Sequence, residues 1–196
     1  FFFHAFEPVP QNFEICRRVT DRYKGQFCLW PLAVGASTGP QAFHVSGGVK
    51  RDASGRPVEH YYGSSSLRAP KLVTEAWPDM TFTAATVNAI TLDDFTEAHL
   101  RDKEIDFIWA DIQGANEDLM RGGRETFKRV KYFYTEYDNS ELYEGEGIGA
   151  AAVKALEDHK TEIEARAADA QRGATGVGAR LSAQEAELKA LAADGG

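Results

Sequence analysis

Residues 105–123, IDFIWADIQGANEDLMRGG, constrain the fold more than any other stretch of this 196-residue chain. They open with a short apolar run typical of a strand that is buried on both faces, as in a parallel sheet. Asp111 follows this run, and Gly114 precedes a polar helix start at residues 116–118. Open α/β sheets build ligand sites from such units, outside the carboxyl ends of the strands. Asp111 is therefore the first candidate for chemistry, although an acid at this place also commonly caps the next turn or helix.

Three further segments are predicted to be strands of the same mainly parallel α/β sheet. They are residues 1–6, 27–34 and 130–137. Glu7 and Gly35 follow the first two segments, and Glu136 lies near the end of the third. Because the carboxyl ends of parallel strands meet at one edge of a sheet, we expect these three residues and Asp111 to line the same edge.

Helices, one more strand and an insertion are predicted between these strands. Residues 10–22 have a rough apolar stripe of helical spacing, and Pro10 suits a first helical turn. Residues 81–90 alternate as a strand does, and Thr91 has the chemistry of a helix N-cap. Residues 41–62 alternate weakly around glycine-rich breaks, which predicts a β-hairpin or an irregular insertion.

The composition divides the chain near residue 160. Residues 1–159 are expected to form one domain that ends with an alanine-rich helix at 147–159. In residues 160–196, alanine, glycine and charged residues dominate, and no aromatic residue occurs. Such a segment buries little apolar surface, so we expect a tail that is loosely attached or disordered.

Charge and composition exclude several classes of function. The net charge is −8 and basic residues do not cluster, which argues against nucleic acid or an anionic membrane as the main partner. No apolar run is long enough to span a bilayer. Cys16 and Cys28 are predicted to be reduced thiols of a cytoplasmic protein. The five histidines show no short paired spacing, so no metal site is predicted.

Six segments resemble, in order and spacing, the FkbM family of S-adenosylmethionine-dependent methyltransferases. They are HAFEPVPQNFE, LWPLAVG, GSSSL, VNAITLDDF, IDFIWADIQGANEDLMRGG and YFYTEYDNSELYEG. The resemblance covers residues 1–156. It implies a Rossmann-like class I methyltransferase fold and transfer of a methyl group from S-adenosylmethionine to a hydroxyl of a small molecule, sugars included.

The resemblance also implies where the cofactor binds. Glu7, with Pro8 beside it, would hold the ribose, because a carboxylate at the end of a strand can accept hydrogen bonds from both hydroxyls of a cis-diol. Val34 and Gly35 would lie near the adenine. The first strand and the glycine-rich loop of the family should precede Phe1, so we expect the chain to be truncated at its amino end and to bind the cofactor weakly.

The same resemblance implies the catalytic residues. Asp111 and Gln113 would face the methyl group and the acceptor. Asp111 is predicted to remove the hydroxyl proton or to orient the acceptor, with Glu136 behind it. The chain departs from the family pattern at Asn116, where the family usually has glutamate.

Two alternatives remain open. Residues 35–39, GASTG, match the nucleophile elbow of serine hydrolases, and Ser37, Asp111 and His159 occur in the required order. A helix should follow that motif, whereas the residues after Pro40 resemble a strand. The second alternative is a non-catalytic fragment that only binds a partner.

Overall fold

The structure, a computed structural model, describes residues 1–23, 25–51, 54–58, 63–101, 103–136, 138 and 140–146. The predicted helix at 147–159 and the predicted tail at 160–196 lie outside these residues. Within them the fold is α/β, as the sequence predicts. The strands are β1 (Phe3–Phe6), β2 (Phe27–Trp30), β3 (Ala33–Val34), β4 (Gly39–Gly48), β5 (Lys50–Arg51), β6 (Pro57–Val58), β7 (Met80–Ile90), β8 (Ile105–Ala110) and β9 (Val130–Thr135). The helices are α1 (Pro10–Thr20), α2 (Val73–Ala76), α3 (Leu92–His99), α4 (Asn116–Gly122) and α5 (Arg124–Phe127).

Two pairs of parallel strands form where the sequence predicts parallel strands. β1 pairs with β2 from Phe3 opposite Phe27 to Phe6 opposite Trp30. β8 pairs with β9 in the same manner, and Ala110 lies opposite Thr135 at the carboxyl end. Each pair joins strands that are separated along the chain by helices, as parallel connections require.

The sequence predicts one mainly parallel sheet, whereas hydrogen bonds among the residues that the structure describes sort the strands into four small sheets, two of them parallel pairs. The predicted strand at 27–34 divides at Pro31, which has no N–H to donate to a ladder. The part before Pro31 is β2, whereas the part after it, β3, pairs in parallel with β7. β7 also pairs antiparallel with β4 along the whole of Gly39–Gly48. β5 and β6 form a short antiparallel pair inside the predicted insertion.

The helix starts follow local chemistry. α1 begins at Pro10, whose missing N–H is no loss in a first turn. Thr91 is the N-cap of α3, and its Oγ1 accepts a hydrogen bond of 3.0 Å from the N–H of Asp94. Helix α3 then packs on the first parallel pair, because the ring of Phe95 lies 4.7 Å from that of Phe6 and 5.3 Å from that of Trp30. Phe95 is only 2% exposed, so this contact is part of the core.

Two buried clusters hold the sheets and helices together. One consists of Val9, Ala33, Phe43 and Ala89, and the other of Leu92, Ala110, Leu119 and Phe127. Helix α4 also approaches the end of β3 very closely, because a Cβ placed on Gly122 would lie 2.1 Å from the carbonyl oxygen of Gly35. Only glycine allows this approach. The clusters therefore fix the turn between β8 and α4, where Asp111 lies.

The paired or free state of the cysteines, the length of the helices and the grouping of possible metal ligands bear on location and metal binding. Cys16 and Cys28 are free and half-buried. In the part of the chain that the structure describes, no helix combines the length and the apolar character that crossing a membrane requires. Across the same residues, no three histidine, cysteine, aspartate or glutamate side chains lie close enough together to hold a metal ion.

Candidate functional site

A cavity of about 500 Å³ lies beside the carboxyl ends of β8 and β9. Asp111 and Gln113, from the turn after β8, and Glu136, from the end of β9, all line it. The rest of its wall comes from the end of β4, from α2 and the turn after it, and from Ser64, Asp138, Leu142, Tyr143 and Glu146. The structure thus brings together the three residues that the sequence nominates as catalytic, and pockets of this size are common sites for small molecules.

The turn after β8 has an unusual backbone. Gln113 has a φ of 50° and Gly114 a φ of 82°, and the N–H of Ala115 closes the turn on the carbonyl oxygen of Ile112 at 3.3 Å. Among the described residues, Gln113 is the only one other than glycine with a positive φ. A side chain in this region costs about 1–3 kcal/mol, and such strain clusters at functional sites. The observation supports a role for Gln113 beyond packing.

Hydrogen bonds hold Gln113 at three points. Its side-chain Nε2 donates to Oδ1 of Asp111. Its Oε1 lies 3.3 Å from the hydroxyl of Tyr143, which also donates to the carbonyl oxygen of Ser64 at 2.7 Å. Its main-chain oxygen accepts from Oγ of Ser66 at 2.6 Å. Asp111, itself exposed to the cavity, therefore faces a side chain whose position is closely controlled.

Asn116, where the chain departs from the pattern of the resembled family, has a structural explanation. Its Nδ2 donates to the main-chain oxygen of Glu136 at 2.8 Å, and its Oδ1 accepts from Oγ1 of Thr135 at 2.8 Å. Asn116 thereby ties the start of α4 to the end of β9. An ionised glutamate carries no donor for the oxygen of Glu136. This amide therefore fixes the main chain at Glu136 relative to the helix that follows the turn of Asp111.

The wall of the cavity is acidic. Its carboxylates are Asp79, Asp111, Glu136, Asp138 and Glu146. Among the described residues that line it, none is lysine, arginine or histidine. Glu146 is only 8% exposed, and burial raises the pKa of its carboxyl above the usual value. Its Oε2 accepts from the N–H of Tyr143 at 3.1 Å.

Glu7 and Pro8, two of the predicted cofactor residues, lie between β1 and α1. The N–H of Glu7 donates to the carbonyl oxygen of Trp30 at 3.0 Å, which extends the pairing of β1 with β2. Its Oε1 accepts from the N–H of Val9 at 2.8 Å, directly before α1. Burial raises the pKa of Glu7, although the hydrogen bonds from Val9 and Asn12 oppose that effect. Neither Glu7 nor Pro8 lines the cavity.

Val34 and Gly35, the other predicted cofactor residues, lie at the end of β3. Val34 packs against the cluster that contains Leu92. Gly35 is buried, its N–H donates to the carbonyl oxygen of Ile90 at 3.1 Å, and a Cβ on it would lie 2.8 Å from Leu67 Cδ1. Neither residue lines the cavity that contains Asp111, Gln113 and Glu136.

The serine hydrolase alternative finds no support in the described residues. Ser37 is exposed, and its Oγ accepts from Nε2 of Gln41 at 3.0 Å. The chain then enters strand β4 at Gly39 instead of a helix. Thr38 uses its hydroxyl to bind Asp94 and the N–H of Thr91, which fixes the loop to the start of α3. His159 lies outside the residues that the structure describes.

Sequence reasoning missed the residues that support Gln113. Ser64 and Ser66 belong to the GSSSL segment, and Tyr143 belongs to the segment that follows β9. Both residue groups lie in segments that carry the resemblance, and this was the available signal. Their contacts with Gln113 span 47 residues from Ser66 and 30 from Tyr143, and no local periodicity reports such contacts.

Comparisons with known proteins give one family and one relative. Residues 2–166 match the Methyltransferase FkbM domain. The chain is 35% identical over 147 residues to 2-O-methyltransferase NoeI of Sinorhizobium fredii (strain NBRC 101917 / NGR234), a match that covers 72% of this chain and 56% of the relative. The chain thus spans about half the length of the relative. No solved structure matches it significantly.

Proposed function

This chain belongs to the FkbM methyltransferase family, and on that premise we propose that it acts as an S-adenosylmethionine-dependent O-methyltransferase on a hydroxyl of a small molecule, such as a sugar. The observation that carries the proposal is the cavity that Asp111, Gln113 and Glu136 share. The name of the relative specifies a 2-O position, which supports a hydroxyl as the acceptor.

We also propose a Rossmann-like class I architecture. Two pairs of parallel strands support this proposal: β1 pairs with β2, and β8 pairs with β9. Both β1 and β8 are followed by an acid and then a helix, as in sheets that bind ligands at the carboxyl ends of their strands. The two free cysteines are consistent with a cytoplasmic protein.

The acceptor oxygens of the Glu7 carboxylate suit the ribose hydroxyls of the cofactor. An ionised carboxylate offers about four acceptor positions. The hydrogen bonds from Val9 and Asn12 use part of that capacity, and the remainder suits two adjacent hydroxyls. In this proposal Pro8, Val34 and Gly35 complete the cofactor site. Bound there, S-adenosylmethionine supplies an electrophilic methyl group on a sulfonium.

Asp111 is the proposed base. A hydroxyl becomes a good nucleophile as its proton leaves, and a carboxylate within hydrogen-bond distance can accept that proton. Gln113 holds Oδ1 of Asp111 through its Nε2, so the carboxylate has a defined orientation toward the cavity. Glu136, exposed on the same wall, would bind a second hydroxyl and align the acceptor.

The charge of the wall bears on the acceptor. Five carboxylates line the cavity, and its described lining contains no lysine, arginine or histidine, so this wall repels phosphorylated or carboxylated acceptors. A neutral polyol can donate hydrogen bonds to the same carboxylates. Trp77, which is 47% exposed, offers a flat apolar face for the carbon side of a sugar ring. We therefore expect neutral sugars to be better acceptors than sugar phosphates.

Calorimetry and a methyl-transfer assay test the proposal on the complete gene product that contains this chain. We expect saturable binding of S-adenosylmethionine and transfer of labelled methyl to a neutral sugar, with at least about tenfold lower kcat/KM for the matching sugar phosphate. Absence of cofactor binding would favour the non-catalytic alternative. Preference for the phosphorylated acceptor would contradict the assigned acceptor site.

A further inference from the structure

We propose that Tyr143 is a positioning residue whose hydroxyl fixes the side-chain amide of Gln113, so that the amide N–H faces Asp111. The inference rests on the proposed function, in which Asp111 accepts the proton of the acceptor hydroxyl. Tyr143 would act on the reaction only through Gln113, which it holds, and through Asp111, which Gln113 contacts.

The geometry at the phenol carries the inference. Tyr143 is 1% exposed, and its hydroxyl lies 2.7 Å from the carbonyl oxygen of Ser64 and 3.3 Å from Oε1 of Gln113. The two ends of a glutamine amide have nearly the same shape, but one end accepts and the other donates hydrogen bonds. The single phenol proton lies between the carbonyl oxygen of Ser64 and Oε1 of Gln113, and its attraction to Oε1 selects the oxygen end of the amide. Nε2 of Gln113 is thereby left to donate to Asp111.

The phenol is itself a rigid reference point. Its residue forms a β-bridge with Pro70, and its N–H is bound by Oε2 of Glu146 at 3.1 Å. The Tyr143 side chain also packs on the turn that carries Gln113, because a Cβ on Gly114 would lie 3.0 Å from Tyr143 Cβ. Because the Tyr143 side chain is confined in this way, its hydroxyl can hold the Gln113 amide in one position.

Gln113 responds to such support because its main chain is also held. Oγ of Ser66 donates to its carbonyl oxygen at 2.6 Å, and its φ of 50° directs the side chain differently from an ordinary turn residue. With the backbone fixed, rotation of the side-chain amide is the remaining freedom of Gln113, and the hydroxyl of Tyr143 restricts that rotation. The carboxylate of Asp111 already favours the donor end, so we expect a moderate effect on rate.

A double-mutant cycle separates positioning from a structural role. We expect Tyr143→Phe to lower kcat about fivefold, with KM for S-adenosylmethionine within about twofold of the wild type. In a Gln113→Ala background, the same change should lower kcat by less than about twofold, because the residue that it positions is gone. An equal loss in both backgrounds, or no loss in the wild type, would overturn the inference.

Thr126→Val is the matched control. Thr126 is also 1% exposed, and its hydroxyl binds Thr96 and Asp93, away from the cavity. We expect this variant to lose stability but to keep kcat. A fall in kcat equal to that of Tyr143→Phe would show that the loss of any buried hydroxyl is sufficient, and it would overturn the inference.

A readout independent of activity keeps the proposal testable if no acceptor is found. NMR signals of the Gln113 side-chain amide, identified by their loss in Gln113→Ala, should shift in Tyr143→Phe and stay in place in Thr126→Val. Unchanged signals in Tyr143→Phe would overturn the inference. A shift in a protein that transfers no methyl group would support the contact while the proposed function fails.

Gln113→Glu tests the contact between Gln113 and Asp111, which the inference requires, without any change at Tyr143, in case Tyr143→Phe does not fold. Its side chain can still accept from the phenol, but an ionised carboxylate cannot donate to Asp111. We expect a loss of kcat as large as that of Gln113→Ala. Wild-type kcat in Gln113→Glu would overturn the inference.

Discussion

The turn after β1 and the turn after β8 start from the same sequence pattern and end with different environments. Each follows a parallel strand, begins with an acid and leads to a helix. In each turn the acid contacts the residue two positions further along the chain. Glu7 binds the main-chain N–H of Val9, whereas Asp111 binds the side chain of Gln113.

The backbone of each turn explains the difference. Pro8 and Val9 lead directly into α1, so the carboxylate of Glu7 satisfies an N–H at the helix start. After Asp111, the positive φ values of Gln113 and Gly114 turn the chain before α4 begins. Asp111 is then exposed in a cavity, while Glu7 is partly buried and has a raised pKa. Local backbone conformation decides whether the carboxylate of a strand-end acid binds a main-chain N–H at a helix start or a neighbouring side chain beside a cavity.

The largest effect should come from two single variants, each of which replaces the acid of one turn. We expect Asp111→Asn to lower kcat roughly 100- to 10,000-fold, because it removes the base. We expect Glu7→Gln to raise the Kd of S-adenosylmethionine about tenfold and to leave kcat at saturation nearly unchanged. Steady-state kinetics and calorimetry on the complete protein measure both changes.

Asp106→Asn is the control for that experiment. Asp106 lies on β8 with Asp111 following its end, but its side chain is exposed and pairs with Lys131 at 2.8 Å. We expect its activity to match the wild type. If Asp111→Asn were as active as Asp106→Asn, Asp111 would not be the base and the two turns would not differ in the way proposed.

The next effect concerns the backbone of the turns. Gly114→Ala places a Cβ at a φ of 82° and 3.0 Å from Tyr143 Cβ. We expect a loss of about 2–4 kcal/mol in the free energy of unfolding. Pro8→Ala, in the other turn, should change it by less than about 1 kcal/mol. Urea unfolding followed by circular dichroism measures both, and equal losses would remove the distinction between the turns.

The smallest effect is a pH dependence that the two regions share. Burial raises the pKa of Glu7 and of Glu146 above the usual 4.5. The folded state therefore binds protons more tightly than the unfolded state does. Each group stabilises the fold fully below the usual value, and this contribution is lost as the pH rises through the raised pKa.

Glutamine variants test this sign. Relative to Glu7→Gln or Glu146→Gln, the wild type should lose free energy of unfolding as the pH rises above the usual 4.5 and through the raised pKa. Glutamine keeps an acceptor for the N–H of Val9 or Tyr143, so the comparison isolates the charge. A wild type that gains stability over this range, relative to both variants, would contradict the predicted direction.

Much of the local structure could be predicted from the sequence. Thr91 is the N-cap that its chemistry indicates, Pro10 starts α1, and the apolar run of residues 105–110 forms β8. The predicted burial of this strand on both faces is wrong, because Phe107 and Trp109 are exposed. The nomination of Asp111, Gln113 and Glu136 as neighbours also agrees with the cavity that they line. These features depend on short-range periodicity, capping and the order of strand, acid and helix, all of which are present within a few residues of sequence.

The tertiary structure alone decided how these parts combine. The division of residues 27–34 between two sheets depends on which strands are available to pair on either side of Pro31. The contact of Gly122 with Gly35, and the support of Gln113 by Tyr143, join residues far apart in the chain. Such contacts depend on packing between whole helices and strands, and a pattern read over a few neighbouring residues does not contain them.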